Sequence, residues 1–469
     1  MSIIIDIFFV AAPLAALYVL TSFLTGTIRY IAFAAEIIAY LAVIYFAKDY
    51  VKKAITIVLD KVSHMDKKKM YIIIFLFALI SKVIFTIFFN YDGTQSGDIK
   101  IYNDIAEQII ETHSLHTDAI SHLYGLALHF VLFKLIRMPI HIGLFIVCLI
   151  GTSANFFSFC RLIGKDKAFL AVMIYLLMPS TALMVFCPTH ELFVYMYVSL
   201  FLFFFNKMIY EEETAKTILW FALSTMSTVL TCFVNPGGYI IYVILLLSVI
   251  LSNMKINKKV LAVGVLLLSF LFSNLISDYL EINEYNTTIN TYTILIHGAN
   301  PESLGEQVDG YPLKQMRQYI YDNTLDFSQA GFVDAAKNVL INHYKYLLTH
   351  PIILLRLLIH KTYMLWSGVH YPIELANYYG AVSGPIYYIF LGISTLIYLT
   401  VLTIGNVFKP KCTKTDDDMA LSNYKLEFLG VIALTFLCIV VNKYSLYVTL
   451  FIYLIAFSRA EFEENENNC

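Results

Sequence analysis

The sequence predicts an all-α integral membrane protein: about twelve transmembrane helices, interfacial helices and one larger extracytoplasmic segment. Three observations carry this. Hydrophobic residues make up 59% of the 469 residues and charged ones only 14%, against about 25% charged in soluble domains. Apolar runs of roughly 20 residues, the length that crosses a bilayer, recur along the whole chain. Basic residues gather in alternate connections between those runs, as topology signals do.

The first run, 3–24, has no small-residue cleavage site after it and is expected to be a retained helix. A second run at 30–47 leads into a basic stretch, so 1–69 reads as two spans and a cytoplasmic loop. The core, 70–277, begins with a span at 70–89 and a first outer loop at 90–138. Within that loop His122 to Leu135 is apolar but short, and the parity of crossings holds only if it lies at the interface. Spans at 139–161, 168–187, 191–207, 217–234, 238–253 and 259–277 complete the core.

The segment 278–383 is the one stretch between spans long enough for a small folded unit. Near its end, HPIILLRLLIHKTYMLW sets Arg356 and Lys361 into an apolar run, the pattern of a helix lying in the membrane surface. The last unit, 384–469, holds spans at 384–407, 424–441 and 444–458, then the acidic tail EFEENENNC, which has the composition of disorder.

With the N-terminus inside, the inner connections hold about twice as many basic residues as the outer ones, within far shorter loops. The positive-inside rule then places 90–138 and 278–383 outside. A net charge of −2 gives no footprint for nucleic acid. The seven cysteines lack paired or CxxC spacing and read as small packing residues. No Walker motif, GxSxG, HExxH or dinucleotide fingerprint is present, so nothing supports a soluble nucleotide donor. Nor does any ligand cluster support a divalent metal. Asn286-Thr287-Thr288 is a glycosylation sequon, meaningful only in a eukaryotic secretory host.

Candidate chemistry gathers at the outer ends of spans. Asp98 lies in SGDIKIYNDIA, just past the span at 70–89. Asp98, Tyr102 and Ala106 share one helical face, at i, i+4 and i+8. A carboxylate there suits a general base acting at the membrane surface; Asp is equally a favoured helix N-cap. Glu191 closes MPSTALMVFCPTHE, where the chain turns back at the outer face. It reads as a second acid or as a cap, and His190 beside it as a proton relay or a polar turn residue. Arg356 and Lys361 suit a clamp on a lipid phosphate, or else snorkel toward headgroups. Lys82, two turns below the outer end of its span, costs roughly 2.5–3.5 kcal/mol near a bilayer centre, and such residues tend to be functional. Glu36 is a second intramembrane charge.

Four local patterns, in order, resemble the GT-C superfamily of membrane glycosyltransferases, most of all the branch with protein O-mannosyltransferases and the aminoarabinose transferase of lipid A. They are Asp98-x-x-x-Tyr102-x-x-x-Ala106, the proline-containing span that ends at Glu191, Gly298-Ala299-Asn300-Pro301-Glu302-Ser303-Leu304-Gly305, and THPIILLRLLIHKTYMLW. The resemblance covers about 70–370. It departs in the two extra N-terminal spans, in the lack of an acid adjacent to Asp98, and in Asn235-Pro236 where relatives carry Arg-Pro. What it implies is sugar transfer outside the membrane from a polyprenyl-phosphate-linked donor to a glycan, lipid or cell-wall acceptor. Asp98 would activate the acceptor with Glu191 as the second acid. Tyr102, His190 and Lys82 would line the substrate site, and Arg356 and Lys361 would meet the leaving phosphate. The Lys-, Ile-, Asn- and Tyr-rich usage points to a low-GC bacterium, and so to a bacterial cytoplasmic membrane.

A flippase-type transporter suits twelve spans, but its paired halves and matching interrupted helices are missing from the sequence. A polysaccharide polymerase relies on outer-loop arginines, and here there are four: Arg29, Arg137, Arg317 and Arg356.

Overall fold

A computed structural model of the chain describes residues 2–21, 25–89, 97–115, 121–184, 190–235, 242, 255–280, 284–305, 308, 310–367, 371–378, 380, 382–407, 425 and 449–459. Apolar runs with no β-branched alternation become helices, and among the described residues every regular element is one. In chain order they are α1 (Ser2–Leu20), α2 (Gly26–Ser63), α3 (Lys67–Phe89), α4 (Gly97–Thr112), α5 (Ser121–Leu135), α6 (Ile140–Leu162), α7 (Lys165–Leu177), α8 (Pro179–Leu183) and α9 (His190–Tyr210). There follow α10 (Thr214–Val234), α11 (Ile256–Tyr279), α12 (Glu284–Gly298), α13 (Tyr311–Asp322), α14 (Gln329–Thr349), α15 (Pro351–Ser367), α16 (Tyr371–Tyr378), α17 (Gly384–Val407) and α18 (Thr449–Arg459).

Six helices among the described residues have the length and apolarity to cross a membrane: Gly26–Phe46 within α2, and α6, α9, α10, α11 and α17. α3 has similar length, 23 residues, and carries Lys67, Lys68, Lys69 and Lys82. The chain is an all-α integral membrane protein. The expected spans at 238–253 and 424–441 lie outside the described residues apart from Tyr242 and Lys425, and the start of 444–458 does too.

Two expectations need correction. The span at 30–47 does not end in a loop: α2 runs without a break for 38 residues to Ser63, because the basic stretch holds no glycine or proline to stop the helix. The span at 168–187 is not continuous. Pro179 forces Met178 into an extended conformation (φ −71°, ψ 128°), which ends α7 and starts α8. Backbone groups released by such a break must find partners inside the protein. The Thr181 hydroxyl donates to the carbonyls of Met178 (2.8 Å) and Tyr175 (3.1 Å), and the Ser180 N–H donates to Ser394 Oγ on α17 (3.3 Å).

Among apolar helices the hydrophobic effect contributes little, and close approach and interhelical hydrogen bonds hold the bundle. α6 and α9 are joined by Asn155 Nδ2 donating to Ser199 Oγ at 2.6 Å. α1 is fastened to α17 by Asn406 Nδ2 donating to the Phe9 carbonyl at 2.6 Å, and α2 to α17 by Tyr40 and Thr403 hydroxyls at 3.1 Å. α5, at 15 residues, rises about 22 Å and falls short of a roughly 30 Å hydrocarbon core. It packs between α4 and α10, with Tyr124, Leu126, Ala127 and Phe130 buried.

The outer segment has its own small core. Ile296, Met316, Ile320, Ala335, Ala336 and Val339 bring α12, α13 and α14 together. A second cluster of Ala299, Leu347 and Leu357 ties the turn after α12 to α14 and α15.

Candidate functional site

α9 opens on the two polar residues of PTHE. Glu191 is fully buried, and its Oε1 lies 2.7 Å from His190 Nε2. A carboxylate in a first helical turn meets the positive end of the helix dipole, which offsets part of its desolvation. Residues at i+4 and i+8 continue the same face inward. The Tyr195 hydroxyl lies 3.3 Å from Thr152 Oγ1 on α6, and Ser199 Oγ accepts from Asn155. A polar ladder thus descends from Glu191 between α6 and α9. Sequence reasoning missed it, although Glu191-x-x-x-Tyr195-x-x-x-Ser199 facing Thr152-x-x-Asn155 was there to be read.

Lys82 is buried in α3, and its Nζ donates to the Thr181 carbonyl of α8 at 3.0 Å. The cation therefore serves the broken helix that Pro179 creates.

Asp98 is the second residue of α4, one turn before Tyr102. Its side chain lies outside the described residues, as does its approach to Glu191. Tyr102 is buried and stands edge-on to Phe130 of α5 with ring centres 6.5 Å apart, and Ala106 is wholly buried beside it. Tyr102 and Ala106 thus lie on the face that α4 presents to α5. Glu107, on the outer side of α4, is clipped to Lys134 of α5 at 2.6 Å.

The third and fourth motifs meet in space. The 298–305 turn folds on itself: Gly305 N–H donates to the Asn300 carbonyl and Glu302 N–H to Asn300 Oδ1, each at 3.0 Å. Leu304 (φ 52°) and Gly305 (φ 86°) close it in left-handed conformations, which glycine adopts without steric cost. Gly305 is required for a second reason: a Cβ there would sit 2.7 Å from Lys361 Cε and 3.3 Å from the Gly298 carbonyl. Lys361, fully buried, threads its side chain beneath this turn.

Arg356, one and a half turns earlier on α15, is exposed. It borders a cavity of about 690 Å³ beside the same turn, shared with Glu302, Tyr311 and His343. Tyr311 and His343 Nε2 are 2.8 Å apart, and His343 Nδ1 lies 2.8 Å from the Val339 carbonyl. An Nδ1–H donated to that carbonyl leaves Nε2 to accept from the Tyr311 hydroxyl. Burial, then the nearby Glu302 charge, raises the Tyr311 phenol above its ordinary range and keeps it a donor. Arg356 and Lys361 therefore flank one turn but do not share a face of α15. Sequence reasoning did not single out Tyr311 or His343, which are far apart in the chain and carry no motif. Among the described residues no three His, Cys, Asp or Glu side chains come together as a metal site would need.

No protein-family model matches the sequence, and no curated protein matches it. Among solved structures the chain is similar to ArnT from Cupriavidus metallidurans bound to undecaprenyl phosphate, with 11% identity over 82% of this chain and 76% of that one and a TM-score of 0.36. Likeness at that level places the chain in no family. What the helices and their buried polar groups define is a class, a multi-span α-helical membrane protein with charged residues enclosed in its core.

Proposed function

We propose that the protein transfers a sugar from a polyprenyl-phosphate-linked donor to an acceptor on the extracytoplasmic side of the membrane. One observation carries most weight: Glu191 is completely buried with His190 Nε2 2.7 Å from its carboxylate, at the end of the bundle opposite the basic connections. Charges enclosed in a membrane core are expensive and are kept for function. The ordered resemblance of four motifs to the GT-C superfamily supports the same reading, as does the packing of the third motif onto Lys361 of the fourth.

In this reading Asp98 takes the proton of an acceptor hydroxyl. The oxygen attacks the anomeric carbon, the carbon–oxygen bond to the lipid phosphate breaks, and its electron pair leaves with the phosphate. Arg356 and Lys361 supply positive charge near the 298–305 turn, where the developing negative charge needs it. Glu191 and His190 position the acceptor, Tyr102 supports the helix that carries Asp98, and Lys82 holds α8 in place below.

The test is transfer from short-chain prenyl-phosphate sugars by purified protein. Asp98→Asn, at unchanged protein level, is expected to lose about 10²–10⁴-fold in rate, the usual contribution of a general base. Full activity in that variant rules out the base. Failure of the unmodified protein with every prenyl-phosphate sugar overturns the donor class.

A further inference from the structure

At the opposite end of the bundle from Glu191, the start of α3 and the ends of α6 and α9 enclose a cavity of about 300 Å³. It lies roughly 24 Å from Glu191, the rise of the sixteen residues to Lys207 along α9, and takes no part in the proposed transfer. Three cations line it: Lys67, Arg161 and Lys207. Each rests on an aromatic ring, Lys67 over Phe157 at 5.1 Å, Arg161 over Tyr210 at 4.3 Å and Lys207 over Phe203 at 5.9 Å. Cation–π contact orients the charge while leaving its N–H groups able to donate.

Other lysines at this end are already occupied. Lys165 donates to the carbonyls of Ser63 (2.9 Å) and Met65 (2.6 Å), and Lys258 to those of Met208 (3.1 Å) and Glu211 (2.7 Å). They satisfy carbonyls at helix ends. Lys67, Arg161 and Lys207 have no carboxylate or carbonyl partner among the described residues, in a chain with 34 acids against 32 bases.

A second, independent observation points to a ligand. Ser158 lines the cavity, is 6% exposed, and its Oγ has no hydrogen-bond partner among the described residues. A hydroxyl on a helix ordinarily donates back to the carbonyl four residues earlier, as Ser224, Thr225, Thr228 and Thr231 all do on α10. A buried hydroxyl left without a partner costs about 1–3 kcal/mol. Asn206, also buried, adds an amide to the same wall.

We propose that this cavity binds a phosphate group. Three cations supply charge-assisted donors, Ser158 an uncharged one, and the rings an apolar collar for the carbon next to the phosphate. By the positive-inside rule the cavity opens on the cytoplasmic leaflet, where the phosphate belongs to an anionic phospholipid headgroup or to a soluble phosphate. Both sources use the same chemistry.

The experiment is native mass spectrometry of the full-length protein released from nanodiscs of phosphatidylglycerol or phosphatidylcholine. Phosphatidylglycerol is expected to remain bound and phosphatidylcholine to be lost. Arg161→Gln and Lys207→Gln are each expected to weaken retention about fivefold, the contribution of one cation near an anionic surface. Ser158→Ala, which leaves every charge in place and guards against misfolding of the charge variants, is expected to weaken it about threefold. Inorganic phosphate added before release separates the sources: displacement of the lipid assigns the site to a soluble phosphate, and continued retention assigns it to the headgroup. Equal retention of the two lipids, or unchanged phosphatidylglycerol binding in all three variants with no effect of inorganic phosphate, overturns the proposal.

Discussion

Lys361 and Gly305 illustrate how one residue's identity can depend on another 56 positions away. A lysine in a sequence of leucines and isoleucines looks like a surface charge, and Arg356 on the same helix is one. Lys361 is instead wholly enclosed, and the space for its side chain exists because position 305 has no Cβ. Gly305→Ala would strain a left-handed residue by about 1–2 kcal/mol and push against the Lys361 side chain. We expect a lower melting temperature and a loss of transfer activity together, measured by scanning fluorimetry and by the prenyl-phosphate assay. Unchanged melting would mean that the turn is looser than its contacts imply. Lys82 teaches a related lesson. Its burial was legible from its place in a span, but not its partner, the carbonyl of Thr181, because that acceptor exists only where Pro179 breaks a helix.

At the scale of elements, α5 shows what length and composition leave open. Its residues are apolar enough for a span and too few to make one. What fixes it is backbone contact with α10: a Cβ on Gly125 would sit 2.8 Å from the Phe233 carbonyl carbon. Backbone cannot yield as a side chain does, so Gly125→Val is expected to cost at least about 1–3 kcal/mol, read as reduced yield and earlier unfolding in detergent. Wild-type behaviour would show that α5 does not touch α10.

The joint between α4 and α5 is softer and responds to pH. The Lys134 hydrogen bond, the Asn103 amide and then the lysine charge hold Glu107 below the ordinary carboxylate range. A depressed carboxyl contributes stability above its unfolded value, near 4.3, and the contribution is lost as pH falls through the lower folded value. The pair is open to solvent on the Glu107 side, so it is worth only about 0.2–1 kcal/mol. Lys134→Ala should therefore lower the melting temperature slightly at neutral pH and by less in acid below that unfolded value. An equal effect at both would assign the loss to packing of the lysine stem.

At the scale of the whole molecule the two ends of the bundle differ in kind. One carries buried Glu191 with His190. The other is ringed by lysines and an arginine. Sidedness is testable through engineered cysteines in a background without the seven native ones. A cysteine at Ser328, the N-cap of α14, is expected to react with a membrane-impermeant maleimide in intact cells. One at Glu212, between α9 and α10, should react only after permeabilisation. The reverse pattern would turn the molecule over and remove the extracytoplasmic reading of Glu191.

Composition and the period of apolar runs determined the class of the fold, because a bilayer demands about twenty apolar residues per crossing and permits few charges. Charge placement determined the expected orientation for the same reason. The sequence by itself also marked Asp98, Glu191, Arg356 and Lys361 as residues out of keeping with their surroundings. It did not reveal the break at Met178, the ladder from Glu191 through Tyr195 to Ser199, or the burial of Lys361 under Gly305. Those rest on contacts between distant helices, where approach distance and hydrogen-bond geometry choose the partner. Residue type limits which bonds are possible; the packing of the bundle decides which are made.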